Sequence, residues 1–395
     1  MVRHPDPAMK ARLKRYWLTP LPAPPATWRR GPWRPGAFPS ERRSTALTAR
    51  LGLWLGLAFG ICFVTGLLSH LIQHPPGWFW WPSRPVRLYQ VTQGLHVITG
   101  LASAPLLVAK LWSVYPRLFT WPPARTVAHA AERGAVALLV AASLFQMVSG
   151  ILNIFQKYAL MPFFFTAAHH WVGWLLIGAM LIHLGTRPRR SERLSADRRR
   201  LLIGVGAVAG LITLVTAGQT VRPLAPVALL APRRPGEGPQ GLPVNKTAAA
   251  AGVVPLIHDP AYRIILAGPG GERSLDLAAL NALPQHTAIL PIACVEGWSS
   301  TATWGGVRLR DLVALAGADP DRAVAEVESL QAGGRYRTSV VAPEHVRDPL
   351  TLIALRLRGQ VLHPDHGYPA RLIAPNRPGV LQTKWVGRIT VREEA

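Results

Sequence analysis

Histidines inside apolar stretches are the first residues whose type and spacing suit chemistry. His169 and His183 are 14 residues apart, which in an α-helix is about four turns, or about 21 Å, along roughly one face. This spacing suits two haem irons stacked across a bilayer, each held by an imidazole nitrogen. His96 is expected near the outer end of another helix, level with His169 and His170. An outer haem between His96 and either of these neighbours follows from the helical geometry.

The other ligands of such a site stay open. His70 ends the first apolar stretch on the same side and competes as an outer ligand. The inner partner of His183 is unclear, because the residue 14 positions after His96 is Lys110 and not a histidine; His129 is the other candidate. The simpler alternative is that these histidines are polar anchors or hydrogen-bond partners in a helix bundle. We expect one haem b and leave a second one open.

A single cysteine, Cys294, follows a predicted strand in Ile292-Ala293-Cys294-Val295-Glu296-Gly297-Trp298-Ser299. With Cys62 the chain has 2 cysteines, too few for a disulfide framework, a cysteine-ligated iron–sulfur cluster or a zinc finger. A lone cysteine is most often a small buried hydrophobe. The chemical alternatives are a thiolate nucleophile or a soft ligand to a metal, held at the end of a rigid strand.

Composition and charge point to a membrane protein. Of 395 residues only 16% are charged and 49% are hydrophobic, against roughly 25% charged in an ordinary soluble domain. The net charge of +24 lies mostly beside apolar stretches, with 11 basic and 2 acidic residues in 1–50 but 15 and 14 in 253–395. This distribution argues against nucleic-acid binding, which needs a basic folded surface.

Five apolar stretches have about the 20 residues that a bilayer-spanning helix needs. The basic arm and the connection Arg187–Arg200 are both expected in the cytoplasm by the positive-inside rule. Counting crossings then predicts a multi-pass protein of the cell membrane with a cytoplasmic N terminus and an extracytoplasmic C-terminal domain. The predicted spans are Leu47–Ile72, Tyr89–Val114, Ala128–Phe155, Phe164–Leu184 and Leu201–Ala217.

The last part of the chain follows a different pattern, with short alternating runs between turn residues. We predict an all-α transmembrane bundle of about five helices followed by an outer α+β domain. Its predicted strands are Tyr262–Ala267, Thr287–Ala293, Thr351–Leu357, Ala370–Ala374 and Trp385–Val391. Its predicted helices are Leu275–Leu283, with Ser274 or Asp276 as cap, and Leu309–Leu315. The chain divides into an arm (1–46), a four-helix membrane domain (47–186), a basic loop with a fifth helix (187–218), a linker (219–252) and the outer domain (253–395).

Three ordered motifs in the outer domain resemble the molybdopterin-binding domain of the sulfite oxidase family. The motifs are the Cys294–Ser299 segment, Trp304-Gly305-Gly306-Val307 with Leu309-Arg310-Asp311-Leu312, and His366-Gly367-Tyr368-Pro369-Ala370-Arg371 followed by Lys384-Trp385. By that resemblance Cys294 ligates molybdenum through sulfur. His366, Arg371 and Lys384 then bind the pterin and its phosphate, which an Arg fork and a Lys point charge suit. The same resemblance places Tyr336 and Ser339 in the lining of the cofactor or substrate pocket.

Residues of about 45–186 resemble the four-helix cytochrome b subunits that serve membrane hydrogenases and formate dehydrogenases. The resemblance rests on His96, His169 and His183. The two halves together resemble the bacterial methionine-sulfoxide reductase pair, in which a haem-containing membrane subunit serves a periplasmic molybdenum subunit. Because the chain stops at Ala395, we expect the sulfite oxidase dimerisation domain to be absent.

These resemblances imply a membrane-anchored molybdopterin-dependent oxidoreductase. Electrons would pass between the quinone pool, through haem b, and a small oxo-transfer substrate outside the membrane. Reduction of an S-oxide or N-oxide is favoured, and oxidation of a sulfite-like substrate stays open. The alternative is a non-catalytic haem-containing electron-transfer or assembly protein with a cofactor-free outer domain.

The start of the fifth helix resembles a twin-arginine export signal. Arg198 and Arg199 are followed by Arg200, Leu201 and Leu202, and such pairs are read by an export receptor. Here the signal would be internal, which suits a domain exported after its pterin cofactor has been inserted. The alternative is that the arginines are only positive-inside charge.

Overall fold

Five long helices run through the first half of the chain, and each is long and apolar enough to cross a membrane. A computed structural model describes residues 31–34, 36–120, 124, 126–185, 194–231 and 233–393. The fifth helix begins five residues before its predicted start, because the charged residues from Asp197 to Arg200 are also helical. The helices are α1 (Thr45–Gln73), α2 (Leu88–Val114), α3 (Val127–Ile154), α4 (Phe165–Gly185) and α5 (Ala196–Ala217). Most of the predicted arm and of the basic connection before α5 lies outside the described residues.

The described residues separate into two compact units. One is within Met1–Val64 and Thr99–Thr213, and the other within Thr65–Ile98 and Leu214–Ala395. The C-terminal end of α1 and the N-terminal end of α2 therefore belong to the same unit as the outer domain. This division differs from the predicted boundary between membrane and outer domains.

The first unit has a leucine-rich core where α1, α2 and α5 meet. Leu47, Leu51, Leu106 and Leu202 are buried there. Between α3 and α4 the contact is partly polar, since the Gln146 amide donates to the His169 carbonyl at 2.8 Å.

The outer domain contains two five-stranded sheets. In the first the order is β2-β1-β10-β5-β6, and in the second β3, β4, β7 and β8 follow one another while β9 also pairs with β7. Only β1 and β10 pair in parallel among the described strands. The strands are β1 (Ile264–Gly268), β2 (Gly271–Leu275), β3 (His286–Ala293), β4 (Ser299–Arg308), β5 (Ala323–Ser329), β6 (Thr338–Val341), β7 (Leu352–Leu357), β8 (Gln360–Val361), β9 (Arg371–Ile373) and β10 (Val386–Glu393).

Short helices connect these strands. They are α6 (Val254–Ile257), α7 (Leu277–Ala282), α8 (Leu309–Leu315) and α9 (Pro343–Val346). Asp276 caps α7, because its carboxylate accepts a hydrogen bond from the Ala279 amide at 2.8 Å. The predicted start of this helix at Leu275 is wrong, since Leu275 is the last residue of β2.

The sequence predicted β1, β3, β7, β9 and β10 to within two residues but missed the other strands. The missed β4 is central, between β3 and β7, yet its sequence is Ser-, Thr- and Gly-rich with few large apolar residues. In β5 the buried positions include Ala323 and Ala325, so its apolar alternation is weak. Most residues of β2 are exposed to solvent. The sequence of this strand therefore shows no apolar face that would predict it.

Part of the predicted linker is packed into the outer domain. Leu242 is fully buried in the cluster that also holds Leu290, Cys294 and Trp304. The carbonyl oxygens of Pro239 and Lys246, from the same segment, accept hydrogen bonds from His366 and Lys384 respectively. Residues before 253 therefore help to build the outer domain.

Candidate functional site

Cys294 begins the tight turn that joins β3 to β4. The last pair of the two strands is Ala293 with Ser299. Two main-chain bonds close the turn: the Cys294 amide donates to the Trp298 carbonyl at 2.9 Å, and the Gly297 amide donates to the Cys294 carbonyl at 3.0 Å. Gly297 has a φ of +97°, which favours glycine. The hairpin thus holds the cysteine at a fixed strand end, as predicted.

The thiol of Cys294 is fully buried. Burial, followed by the negative charge of Glu296, raises its pKa well above the ordinary value. The amide of Glu296 donates to the sulfur, and the charges of Arg233 and Lys384 favour the thiolate. A thiol in this environment stays protonated until a cation replaces its proton, as a metal ion does when it binds cysteine.

The buried carboxylate of Glu296, two residues on, is already paired. It accepts a hydrogen bond from the Trp298 indole at 2.9 Å and lies 3.4 Å from the Arg233 guanidinium. This pairing orients the turn and satisfies the acidic charge beside the cysteine.

Arg371 is a fully buried cation held by neutral groups. Its guanidinium donates to the carbonyls of His366 at 3.0 Å and Gln382 at 3.2 Å, and its carbon lies 5.0 Å from the centre of the Trp304 ring. Its Nε has no hydrogen-bond partner among the described residues. Burial lowers the pKa of Arg371 to about 9. An anionic ligand would supply the charge that this site lacks.

Lys384 is half-buried and lies near both Cys294 and Arg371. Its ammonium donates to the carbonyls of Lys246 and Asp365, each at 2.8 Å. Burial, followed by repulsion from Arg371, lowers the pKa of Lys384 to about 7. The charges of Asp365 and Cys294 act in the opposite direction. A bound phosphate would hold this lysine in its charged form.

A hydrogen bond fixes which ring nitrogen of His366 carries the proton. Its Nε2 lies 2.6 Å from the Pro239 carbonyl, so this nitrogen carries the proton and donates. Burial lowers the pKa of His366 to about 4, and the charges of Arg371 and Lys384 add to this effect. The ring is therefore neutral near pH 7, with Nδ1 as its acceptor nitrogen.

Gly367 allows these side chains to come together. Its φ is +106°, and a Cβ built there would lie 2.9 Å from Cβ of Arg371 and 3.2 Å from Cβ of Lys384. Any larger residue would push apart the two cations that the sequence motif predicts as phosphate ligands.

The two predicted pocket-lining residues have different surroundings. Ser339 is buried in β6, and its hydroxyl lies 2.7 Å from that of Thr383, next to Lys384. Tyr336 instead donates its phenol proton to the Gln73 side chain at 3.0 Å. Cys294, His366, Arg371 and Lys384 thus lie close together, Ser339 adjoins them, and Tyr336 contacts the end of α1.

Arg377 is a buried cation that the sequence analysis did not single out. It donates to the Val340 carbonyl at 2.9 Å, and its Nε has no partner in the described part of the chain. Burial lowers the pKa of Arg377 to about 10. Its neighbour Pro378 bridges to Ala293, the residue before Cys294. A basic residue three positions after the predicted strand at Ala370–Ala374 was the available signal.

Asn376 joins the connection between α1 and α2 to the outer domain. Its side-chain oxygen accepts from the Tyr89 amide at 2.7 Å, and its side-chain nitrogen donates to the Pro82 carbonyl at 2.7 Å. Its own carbonyl accepts from the Trp81 indole at 2.8 Å. The residues joined by these hydrogen bonds are 287 to 295 positions apart in the sequence. The sequence pattern gave no signal for them.

Two candidate haem ligands have similar local surroundings, each in its own unit. Nδ1 of His96 lies 3.4 Å from the Thr65 hydroxyl, and Nδ1 of His169 lies 3.1 Å from the Ser149 hydroxyl. A glycine underlies each ring: a Cβ on Gly66 would lie 2.8 Å from Cε1 of His96, and one on Gly150 would lie 3.7 Å from Cε1 of His169.

The other candidate histidines differ. Nε2 of His170 accepts a hydrogen bond from the Trp174 indole at 3.2 Å. The ring of His70 lies edge-on to that of His74, with 5.0 Å between their centres, and His183 is in the last turn of α4. Among the described residues no group of three or more His, Cys, Asp or Glu side chains converges on one point.

Several known proteins are similar to part of this chain. Residues 251–395 match the family described as the oxidoreductase molybdopterin binding domain. The chain is 31% identical over 169 residues to mitochondrial sulfite oxidase of Rattus norvegicus, covering 36% of this chain and 31% of that protein. It is 39% identical over 105 residues to the NAD(P)H nitrate reductase of Hordeum vulgare, covering 24% of this chain and 12% of that protein.

A third relative comes from Azospira oryzae and is named, provisionally, subunit YedZ1 of a protein-methionine-sulfoxide reductase. The identity is 32% over 115 residues, covering 29% of this chain and 42% of that protein. The chain spans about a third of the length of the sulfite oxidases it matches. Its C-terminal domain is a molybdopterin-binding oxidoreductase domain of the sulfite oxidase type.

The side chains of this domain fit an anionic cofactor that carries a soft metal. Arg371 and Arg377 are buried with hydrogen bonds to main-chain carbonyls, and each has an Nε without a partner among the described residues. Lys384 adds a third positive charge. The buried thiol of Cys294 lies within electrostatic range of Lys384. A phosphate and a thiolate-bound metal would satisfy these groups together.

Proposed function

We propose that the protein is a membrane-anchored molybdopterin-dependent oxidoreductase. It exchanges electrons between the quinone pool, through haem b, and a small oxo-transfer substrate outside the membrane. The observation that carries this proposal is a buried cysteine at a fixed strand end together with two buried arginines, Arg371 and Arg377, whose Nε atoms have no hydrogen-bond partner among the described residues. That arrangement occurs in a domain of the sulfite oxidase type.

Within this site each residue has a distinct role. Cys294 would hold molybdenum through its sulfur, and Arg371 and Lys384 would bind the phosphate of the pterin. His366, neutral and fixed by Pro239, would orient the pterin through its acceptor nitrogen. Ser339 lies behind Lys384, and Tyr336 is the candidate for the substrate side. The bound molybdenum supplies two-electron oxo-transfer chemistry.

His96 and His169 are the haem ligands we favour. A hydroxyl lies beside Nδ1 of each ring, and a hydrogen-bond partner at one ring nitrogen is usual for a metal-bound histidine. His170 is less suited, because its Nε2 already accepts from Trp174. His70 and His183 remain as the candidates for a rival outer ligand and for an inner haem.

The contacts of the α1–α2 connection support the proposed topology. Arg84, in this connection, pairs with Asp348 of the outer domain at 2.9 Å, and Trp81 donates to Asn376. These contacts support a topology in which the connection and the outer domain lie on one side of the bilayer. Positive charge in the arm and before α5 supports the extracytoplasmic side for both.

Reduction of an S-oxide or N-oxide is the direction we favour. The similarity to a relative named as a methionine-sulfoxide reductase subunit supports it. Similarity to sulfite oxidases supports the opposite direction, oxidation of a sulfite-like substrate. Turnover with each substrate class would decide between them.

The test is metal and haem content together with one pair of matched variants. Purified full-length protein in detergent should contain molybdenum and pterin near one per chain and a low-spin haem spectrum. Cys294→Ser should lose molybdenum-dependent turnover and keep the haem spectrum, because a hydroxyl is a poor soft-metal ligand. Cys62→Ser, at the other cysteine, should keep both.

Haem without molybdenum in the wild-type protein would favour the non-catalytic relay. Wild-type turnover by the Cys294→Ser variant would refute the ligand assignment.

A further inference from the structure

Gln93 links α2 to the turn that carries Cys294. Its side-chain amide donates to the Val295 carbonyl at 3.0 Å, and the Gln93 side chain is buried. Val295 follows Cys294 directly, so the bond reaches the main chain next to the cysteine. No motif of the sequence analysis includes Gln93.

Close packing fixes this link. A Cβ on Gly94 would lie 2.9 Å from Cγ2 of Thr220, and Thr220 donates to the Gly297 carbonyl at 3.0 Å. A Cβ on Gly297 would lie 2.7 Å from Cγ2 of Val97. A glycine of the helix and a glycine of the turn thus each pack closely against a side chain, which holds the helix and the turn together around the Gln93 bond.

The same helix carries His96, three residues after Gln93. Residues at this spacing are neighbours on one side of a helix. A hydrogen bond and a short stretch of helix thus connect the Cys294 turn to a candidate haem ligand. Electrons tunnel better through bonds and hydrogen bonds than across a gap of the same length.

We propose that Gln93 is the main electronic link between the haem held by His96 and the molybdenum held by Cys294. The inference rests on the proposed function, since it needs both centres. In the reducing direction, quinol gives up two electrons and two protons and becomes quinone. With both groups bound, α2 and the Gln93 bond would carry these electrons one at a time toward the Cys294 turn, and two electrons with two protons would convert an S-oxide into a thioether and water.

The test replaces Gln93 by residues that fill its space but cannot donate. Gln93→Met keeps the length of the side chain, and Gln93→Leu is a second variant in case one folds poorly. Laser-flash photoreduction with a deazaflavin delivers one electron to the full-length protein, and haem absorbance then follows its passage to molybdenum. We expect this rate to fall several-fold in both variants, with unchanged haem spectrum, molybdenum EPR signal and metal content.

Gln90 provides the matched control. It is also a glutamine of α2 and donates to the Ser299 hydroxyl at 2.9 Å, on the other side of the same turn. Gln90→Met should transfer electrons at the wild-type rate, because its bond does not reach the main chain beside Cys294.

Three results would overturn the link. One is a wild-type rate in both Gln93 variants, and another is equal slowing by Gln90→Met, which would mean that both bonds only dock the helix. The third is a changed molybdenum EPR signal in the Gln93 variants, which would mean that the bond shapes the metal site. Missing haem or molybdenum in the wild-type protein would instead refute the proposed function.

Discussion

The guanidinium of Arg371 stacks on the Trp304 ring at 5.0 Å, with both side chains fully buried. An aromatic face attracts a cation without neutralising it. A carboxylate at the same place would form an ion pair with Arg371 and neutralise the guanidinium charge. Trp304 therefore holds Arg371 in position while its charge stays available to a ligand.

Replacing Arg371 by Met should have opposite effects on the loaded and the cofactor-free protein. Loss of a buried partner of a charged ligand weakens binding by about 2–5 kcal/mol, so molybdenum and pterin content should collapse. The cofactor-free variant should unfold at a higher temperature than the cofactor-free wild type, because it no longer buries an uncompensated charge. Metal analysis and thermal unfolding by tryptophan fluorescence measure the two effects. Full cofactor content in Arg371→Met would contradict the assignment.

Lys384 should make the cofactor-free protein more stable as the pH rises above neutral. Its pKa is lowered to about 7 in the folded protein, against about 10.5 for an ordinary lysine. Between these values the unfolded chain binds the extra proton, so stability increases with pH, and the cost of burying the charge is fully present below pH 7.

Thermal unfolding between pH 6 and pH 10 tests this behaviour. Lys384→Met should remove part of the pH dependence and stabilise the cofactor-free protein most at pH 6. The control is Lys246→Met, whose main-chain carbonyl still accepts the Lys384 bond. An unchanged pH profile in Lys384→Met would exclude the lowered pKa.

His169 and His170 should differ in their effect on haem. His169→Ala should lose the low-spin haem, whereas His170→Ala should keep it, because Nε2 of His170 accepts from Trp174. The haem content of each purified variant, measured by its reduced spectrum, decides between the two. Haem loss only in His170→Ala would reverse the assignment.

The arginine pair at the start of α5 can be tested by a change that keeps its charge. Arg198 donates to the Glu41 carbonyl at 2.9 Å, and both arginines lie in the first turn of the helix. If an export receptor reads the pair, Arg198→Lys with Arg199→Lys should leave the outer domain protected from protease added to spheroplasts. Arg200→Lys is the control and should expose the domain as the wild type does. Exposure in the double variant would leave only the positive-inside interpretation.

The sequence predicted the elements whose residues carry their own signal. Helices α1 to α5 are long and apolar enough to span a membrane, and β3, β7 and β10 contain large apolar residues at buried positions. Strand β4 escaped detection because its place at the centre of a sheet depends on β3 and β7, and not on its own composition.

The same contrast holds for the site residues: some carry a signal in their own sequence, and others depend on distant parts of the chain. The motif predicted Cys294, His366, Arg371 and Lys384, which lie close together. It did not predict the carbonyl of Pro239, which fixes His366, because any residue could supply a carbonyl. Gln93 and Asn376 were missed since their bonds join segments about two hundred or more residues apart.

The connection between α1 and α2 also sets an order for biosynthesis. Trp81 is made 295 residues before Asn376, and Arg84 is made 264 residues before Asp348. Until residue 376 has been made, the Trp81 indole and the Tyr89 amide lack the acceptors that Asn376 supplies. A chain truncated before residue 376 would therefore lack the contacts that Asn376 makes with this Trp-rich connection. Such unfinished chains should be prominent targets for chaperones and proteases.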